Sequence, residues 1–261
     1  MADKEPGRVQ SVCKAMELLS CLAEARTPLT LGELSRRTGM PKATVHGLLS
    51  ALRSSAVVEQ SGEDGRYRLG IRLFEYGCAV SRGWNVLEAA AEPMRHVAEE
   101  TGETASIATL DRGDVLILDS ADARSNFRVV SEKGSRLPVH CTSQGKLLLA
   151  YMPPAQRRSL LRSCDFAAYT PHSHTSLASL EGEMEQILRQ GYAIENGELR
   201  IGLRSVAAPV FNVAGEAAYA VCVVGMFRQV NSPELERATK LLLDAAERIS
   251  FELGYRGPLH P

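Results

Sequence analysis

Apolar residues recur with a helical period twice in the first fifty-five residues. Over Ser11–Ala25 the stripe is Val12, Ala15, Leu18, Leu19 and Leu22. The stretch "TPLTLGELSRRTG" follows, with Glu33 three residues after Thr30, the spacing of a capping box. The short helix it opens is predicted to end at Gly39, a residue suited to a left-handed C-terminal turn. Then "MPKATVHGLLSALRSS" places Val45, Leu48, Leu49 and Leu52 at i, i+3, i+4 and i+7. Pro41 fits its first helical position, where a missing N–H costs nothing. Next, "AVVEQSGEDGRYRLG" combines β-formers, a turn-forming centre and Tyr67 and Leu69 alternating with arginines, which predicts a hairpin.

The third helix has an unusual second face. Ala43, His46, Gly47 and Ser50 share it, small or polar throughout. A glycine inside a helix costs about 1 kcal/mol relative to alanine. Helix, short helix, tight turn, helix and hairpin is the order of a winged helix-turn-helix, whose third helix enters the DNA major groove. A helix laid against base edges needs short or hydrogen-bonding residues there. Lys42, Ala43, Thr44, His46, Gly47, Ser50 and Arg53 are therefore candidate DNA contacts, with Lys42 and Arg53 placed for phosphates. Arg66 and Arg68 on the hairpin join them. The alternative is a plain solvated face, against which the capping box and the basic hairpin both weigh.

Beyond the hairpin the pattern changes. Residues 70–92 are predicted to form a linker helix, with weak points at Gly77 and Gly83. Residues 93–261 mix both periods. Met94–Thr101, "SQGKLLLAYM", Ser176–Gln190 and Ser232–Leu253 are predicted helices. The segments "TASIATL", "DVLILDS", "FRVVS", "GYAIE", "LRSVAAPVF" and "AAYAVCVVGMF" are predicted strands. The expectation is an α+β chain in three parts: a DNA-binding domain at 1–69, the linker helix at 70–92, and a domain at 93–261 on a largely antiparallel sheet.

Composition adds limits. The chain is 44% hydrophobic and 23% charged, ordinary for a globular protein. Net charge is −1, with a slight basic excess confined to residues 1–68. None of the six cysteines has C-x-x-C spacing, so no zinc knuckle or thioredoxin-type motif is offered. The N-terminus lacks an apolar core, and the longest apolar run, Ala217–Phe227, is too short for a membrane span. The simplest expectation is a cytoplasmic protein with reduced thiols and no membrane contact. His172 and His174 stand in a predicted polar loop with Cys164 nearby in sequence, short of the converging ligands a metal needs. His140 and Cys141 are adjacent, which in extended chain points them apart. No catalytic or cofactor motif is present.

Four blocks, in order, carry a family resemblance: "SVCKAMELLSCL", "LTLGELSRRTGMPKATVHGLLSAL" with "RYRLG", "LPVHCTSQGKLLLA", and "GYAIENGELRIGLRSVAAPVF". The chain resembles the IclR family of bacterial transcription regulators over essentially its whole length. The resemblance implies a winged helix-turn-helix, a linker helix and a C-terminal effector domain of GAF-like fold. It implies homodimers or homotetramers on a pseudo-palindromic double-stranded DNA operator, and a small-metabolite effector. Two departures stand out. The family usually has an arginine where Gly47 stands, and Asn196 and Gly197 interrupt its acidic motif, leaving Glu195 and Glu198.

By the resemblance the effector site is lined by Ser143, Gln144, Glu195, Leu203, Ser205, Cys222 and Val224. Physical reasoning adds that Thr142 or Ser143 caps a helix whose Gln144, Gly145 and Lys146 N–H groups would attract a carboxylate or phosphate. Val224 shares a strand face with Cys222 and makes that wall apolar. The expected effector is a small organic acid with an apolar or aromatic body. The function expected is a ligand-responsive regulator, repressor or activator, of catabolic genes. Its rivals are a GAF-like thiol sensor or enzyme using Cys141 and Cys222, and a regulator whose C-terminal half only oligomerises.

Overall fold

The computed structural model describes residues 9–25, 27–62, 64–81, 85–122, 132–162 and 164–257. The chain divides into two compact units, residues 1–83 and 84–261.

The first unit holds helices α1 (Gln10–Glu24), α2 (Leu31–Thr38) and α3 (Lys42–Ser54), strands β1 (Val58–Gln60) and β2 (Tyr67–Leu69), and helix α4 (Arg72–Ser81). Leu18, Leu22, Leu34, Val45, Leu49, Val58 and Tyr67 are in its core, so the stripes read from the sequence face inward, except that Val12 at the start of α1 is exposed. The capping box is present: the Glu33 N–H donates to Thr30 Oγ1 at 3.2 Å and the Thr30 N–H to Glu33 Oε2 at 2.7 Å. Gly39 ends α2 in the left-handed region, with φ 67°. Pro41 differs from expectation by one position: its ψ of 141° makes it the N-cap of α3, and Lys42 is the first helical residue. The strands pair antiparallel as expected. Gly70 closes this hairpin by necessity, because a Cβ there would lie 2.2 Å from the Ala56 carbonyl oxygen.

The expected linker helix at 70–92 covers α4 and the first part of the next helix, with residues 82–84 outside the described residues. α4 ends at Ser81, and α5 (Asn85–Thr101) runs through Pro93 without a break. A proline inside a helix costs about 3 kcal/mol. Here Val86, Ala89, Ala90, Met94, Val97 and Ala98 are buried around it. Burying even two or three side chains of Val or Met size outweighs that cost, at roughly 1.5–3 kcal/mol each. α5 thus continues through Pro93, where the sequence places the end of the linker.

That unit is α+β, as expected, on a six-stranded sheet in which every pairing is antiparallel. Its strands are β3 (Thr104–Asp111), β4 (Asp114–Ala121), β5 (Arg136–Pro138), β6 (Ala193–Asn196), β7 (Arg204–Phe211) and β8 (Ala217–Gly225), in the order β5-β4-β3-β8-β7-β6. The β3–β4 turn has Arg112 at φ 53° and Gly113 at φ 91°, two positive values that match the twist of a two-residue hairpin. One face of the sheet carries α5 and α9 (Pro233–Glu252). The other carries α6 (Ser143–Tyr151) and α8 (Leu177–Gln190). Helix α7 (Pro154–Leu161), β5 and a 3-10 turn at Val139–Cys141 were not expected from the sequence. The expected strand "FRVVS", residues 127–131, lies outside the described residues.

Candidate functional site

In the first unit, the face of α3 opposite Val45 and Leu49 is open. Lys42, Ala43, His46, Gly47, Ser50 and Arg53 are exposed, and Thr44 is half-buried. A Cβ built at Gly47 meets nothing within 4 Å, so the fold does not require glycine there. The two wing arginines differ from the helix cations. Arg66 donates to the Pro28 carbonyl at 3.0 Å and to Glu33 Oε2 at 3.3 Å, and so braces the capping box. Arg68 is paired with Glu59 at 2.9 Å. Lys42 and Arg53 make no ion pair among the described residues. Neither do Arg36 and Arg37, exposed in the last turn of α2, which the sequence reading passed over. Their signal was the "SRRTG" run ahead of the tight turn.

In the second unit, register builds a polar patch on the sheet face under α6. Across β6, β7, β8 and β3, Glu195 pairs with Ser205, Ser205 with Val224, and Val224 with Thr104. One row over, Ala207 pairs with Cys222 and Cys222 with Ser106. These rows floor a cavity of about 80 Å³. One water needs roughly 10–15 Å³ on this measure, so several waters or a small organic molecule fit. Gln144, Glu195, Leu203, Ser205, Cys222 and Val224, all expected, line it. Ser106, Leu137, Thr142, Leu199 and Arg200 line it too and were missed. Ser143 stands behind the lining, its hydroxyl 2.8 Å from Ser205 Oγ and 3.5 Å from Cys222 Sγ.

Thr142, not Ser143, caps α6: its hydroxyl accepts from the Gly145 N–H at 3.3 Å. Its carbonyl accepts from the Lys146 N–H. Gly145 and Lys146 are thus spent, contrary to expectation, and the N–H groups of Ser143 and Gln144 are the open ones among the described residues. Gly145 has to be glycine, since a Cβ would sit 2.2 Å from the Val139 carbonyl oxygen. The Gln144 side chain donates to Ser106 Oγ at 3.2 Å.

The interrupted acidic motif does two jobs. Gly197, at φ 69°, turns the chain after β6. Glu195 Oε1 accepts from the N–H of Glu198 at 2.6 Å and of Leu199 at 3.2 Å, while Oε2 accepts from Ser205 at 3.3 Å. Burial, with the Glu198 charge adding to it, holds the Glu195 carboxyl above its ordinary range, though those N–H donors pull the other way. Glu198 points elsewhere. Its Oε1 lies 2.6 Å from Nζ of Lys146, which is buried in α6 and 2.7 Å from Glu183 of α8. His174 Nε2 bonds Glu183 Oε2 at 2.8 Å. Burial pushes the Glu183 carboxyl up, but bonds and charges from His174 and Lys146 outweigh it and bring it down. His174, Glu183 and Glu198 have ligand atoms within 4.8 Å of one another, a spacing that could hold a cation. Lys146 already supplies positive charge to both carboxylates.

Among the described residues His140 does not bond its neighbour Cys141. His140 sits in the 3-10 turn, not extended chain. Its Nε2 faces the Ala167 carbonyl at 3.0 Å and its Nδ1 faces Cys164 at 3.9 Å, not Cys141. Cys141 and Cys222 are both buried, and burial pushes each thiol up to about 12. Neither is a thiolate near neutral pH, which weighs against the thiol-chemistry rival.

A winged helix-turn-helix with an open recognition face, joined in one chain to a domain with a small polar-floored cavity, is the build of a DNA-binding transcriptional regulator. Residues 11–62 match the IclR helix-turn-helix domain, and residues 78–251 match the bacterial transcriptional regulator IclR C-terminal domain. The chain belongs to the IclR family of bacterial transcriptional regulators. It is 31% identical to the HTH-type transcriptional regulator BhcR of Paracoccus denitrificans, over 97% of this chain and 90% of that one. Its fold matches an IclR transcriptional regulator from Alicyclobacillus acidocaldarius with TM-score 0.82, at 29% identity over 95% and 100% of the two chains. It also matches an IclR homologue of Microbacterium hydrocarbonoxydans, crystallised with 4-hydroxybenzoate, with TM-score 0.83 at 24% identity over 94% and 99%. Among the described residues no helix is long and apolar enough to cross a membrane.

Proposed function

We propose that this protein is a cytoplasmic, homo-oligomeric regulator of catabolic genes that binds a pseudo-palindromic operator and releases or gains it with a small organic acid. Lys42, Ala43, Thr44, His46, Gly47, Ser50 and Arg53 face the DNA, with Arg36, Arg37 and Arg68 on flanking phosphates. Arg66 acts by bracing the wing. The acid occupies the cavity floored by Ser205, Cys222 and Val224. The observation that carries the reading is the α3 face: small, open, and not required by the packing of its own domain. The ligand bound by the Microbacterium relative is an acid with an aromatic body, which agrees with the mainly apolar lining with polar groups set into it here. The apolar residues Ile71, Phe74 and Val80 on and beside α4 are 61%, 68% and 54% exposed in the single chain, an apolar surface of the kind a second copy covers, which supports oligomerisation. An effector moves the operator equilibrium only through different affinities for the DNA-competent and incompetent states.

The test is fluorescence anisotropy on DNA from upstream of the protein's own gene and on scrambled DNA, across a salt series. Tight, salt-dependent binding that prefers the upstream fragment is expected. Equal, weak binding to both, with no enriched site in a genomic selection, would refute the regulator assignment of these residues.

A further inference from the structure

Four residues that do not line the cavity meet around two carboxylates: Lys146 of α6, His174 of the loop before α8, Glu183 of α8 and Glu198 of the turn after β6. Each carboxylate is divided in the same way. The Oε1 atoms face the Lys146 ammonium, at 2.7 Å from Glu183 and 2.6 Å from Glu198. The Oε2 atoms face His174 Nε2, at 2.8 Å and 3.8 Å. The Glu183 oxygen is bonded to that ring nitrogen. The Glu198 oxygen is not: its side chain is 7% exposed, and Oε2 has no hydrogen-bond partner among the described residues. A buried carboxylate oxygen with no donor has lost water and gained nothing in its place, so it calls for a partner. The backbone around it is held without help from these side chains. Ser173 Oγ donates to the Glu198 carbonyl at 2.6 Å, and Thr170 Oγ1 donates to the Gly197 carbonyl at 2.7 Å.

We propose that His174 Nε2, Glu183 Oε2 and Glu198 Oε2 bind a divalent transition metal of the zinc class, with water as the fourth ligand. The three ligand atoms lie within 4.8 Å of one another. Tetrahedral zinc with bonds of about 2.0–2.2 Å separates its ligands by roughly 3.3–3.6 Å, between the two distances measured from Nε2. The shorter contact opens and the longer one closes by a fraction of an ångström. A ring nitrogen beside two carboxylates suits zinc, whereas magnesium and calcium prefer oxygen shells. Charge points the same way. With a neutral imidazole, two carboxylates and one ammonium leave a net −1. Zinc makes it +1, and a zinc-bound water that ionises near neutral pH removes the excess. Lys146 does not contest the ligand atoms, because it holds the Oε1 pair. The side chains of His174 and Glu183 are 18% and 26% exposed, which gives the ion a path from solvent. Zinc takes the Nε2 lone pair, so the proton in the bond to Glu183 moves to Nδ1 or to solvent. His174 is the ligand that the sequence brought forward; its partners come from α8 and from beyond β6, not from His172 or Cys164. The rival occupant is a proton, since an imidazolium between the two carboxylates balances the charge with no metal. The site does not depend on the effector reading.

Zinc titration of the full-length protein tests this. The protein is freed of metal with a chelator, alkylated at its exposed Cys13 and Cys78, and titrated near neutral pH against a chromophoric chelator. One zinc per chain is expected, together with a rise in the unfolding temperature. His174→Leu and Glu183→Gln, each checked for folding by circular dichroism, should lose at least the roughly ten- to hundredfold in affinity that an outer-shell partner alone is worth. Their unfolding temperatures should no longer respond to zinc. Cobalt in place of zinc supplies a readout that needs no variant: the visible bands of a tetrahedral nitrogen and oxygen site, with no thiolate band. Absence of saturable zinc binding overturns the proposal and leaves the proton as the occupant. Zinc held equally well by the parent and by His174→Leu overturns it too. So does a thiolate band in the cobalt spectrum, which would put the ion on a cysteine.

Discussion

Lys146 and Glu198 form a buried ion pair, Nζ to Oε1 at 2.6 Å, and Glu198 Oε2 has no hydrogen-bond partner among the described residues. Glu183 completes the shell of the ammonium from α8. The three residues pin the start of α6 to the turn after β6, the two elements that close the cavity. Removing one partner of a buried pair leaves an uncompensated charge, at about 3–5 kcal/mol. Lys146→Met is expected to lose that much stability in urea unfolding, with the double variant Lys146→Met/Glu198→Gln recovering part of it. A Lys146→Met protein as stable as the parent would show that the pair is idle.

Glu195 and Glu183 are shifted in opposite directions, and that sets a pH profile. Glu195 is held above its ordinary 4.5. It keeps its proton in the folded state where the unfolded chain has lost it. Its contribution is greatest below 4.5 and is lost as pH rises through the folded value. Glu183 is held below 4.5, so its contribution is complete above that value and is lost as pH falls through the folded value. Glu195→Gln is therefore expected to flatten the decline of stability above pH 4.5 and leave the acid limb in place. Denaturant midpoints from pH 3 to 8 check this; an unchanged upper limb in the variant would contradict it.

Local rules made the first unit readable and long-range rules hid much of the second. The stripe of α3 and the Thr30–Glu33 box involve residues within a few positions of one another, so period and spacing expose them. Arg66 read as a DNA contact because its partner Glu33 lies 33 positions away. Pro93 read as a boundary because helix propensity is local, while the burial that overrides it comes from the sheet. The cavity residues came from resemblance; only the shared face of Cys222 and Val224 followed from strand alternation. Arg200 and Lys146 carried no spacing signal at all, since one reaches the cavity lining on the loop between β6 and β7 and the other is defined by partners on α8 and beyond β6.

The buried thiols are expected to be inert. Cys141 and Cys222 sit near 12 and are closed to solvent. In the native protein at neutral pH both should resist alkylation by iodoacetamide until denaturant is added, as read by peptide mass mapping. Rapid native labelling of either would revive thiol chemistry as a function.

Arg53 and Arg66 should separate contact from support. Arg53 is exposed and without an ion pair among the described residues, so Arg53→Gln should lower the slope of log affinity against log salt by about 0.9. Arg66 holds Pro28 and Glu33. Arg66→Gln should lower the thermal stability of the winged unit with a smaller change in that slope. Equal slope losses from both would place Arg66 on a phosphate after all.

Gly47 gives a prediction in which fold and function take opposite signs. A methyl group there has open space in the free protein, and alanine is the better helix former by about 1 kcal/mol. Gly47→Ala should therefore stabilise the winged unit. If the backbone of α3 comes close to the DNA at this point, the same methyl group stands between them, and operator affinity falls while stability rises. Gly47→Arg should do something different: add a cation, steepen the salt dependence by about 0.9, and draw preference toward guanine at the facing base. Unfolding midpoints and anisotropy on the same preparations decide. Stability and affinity that rise together in Gly47→Ala would mean that glycine serves no close approach, and that the open face of α3 meets DNA through its side chains alone.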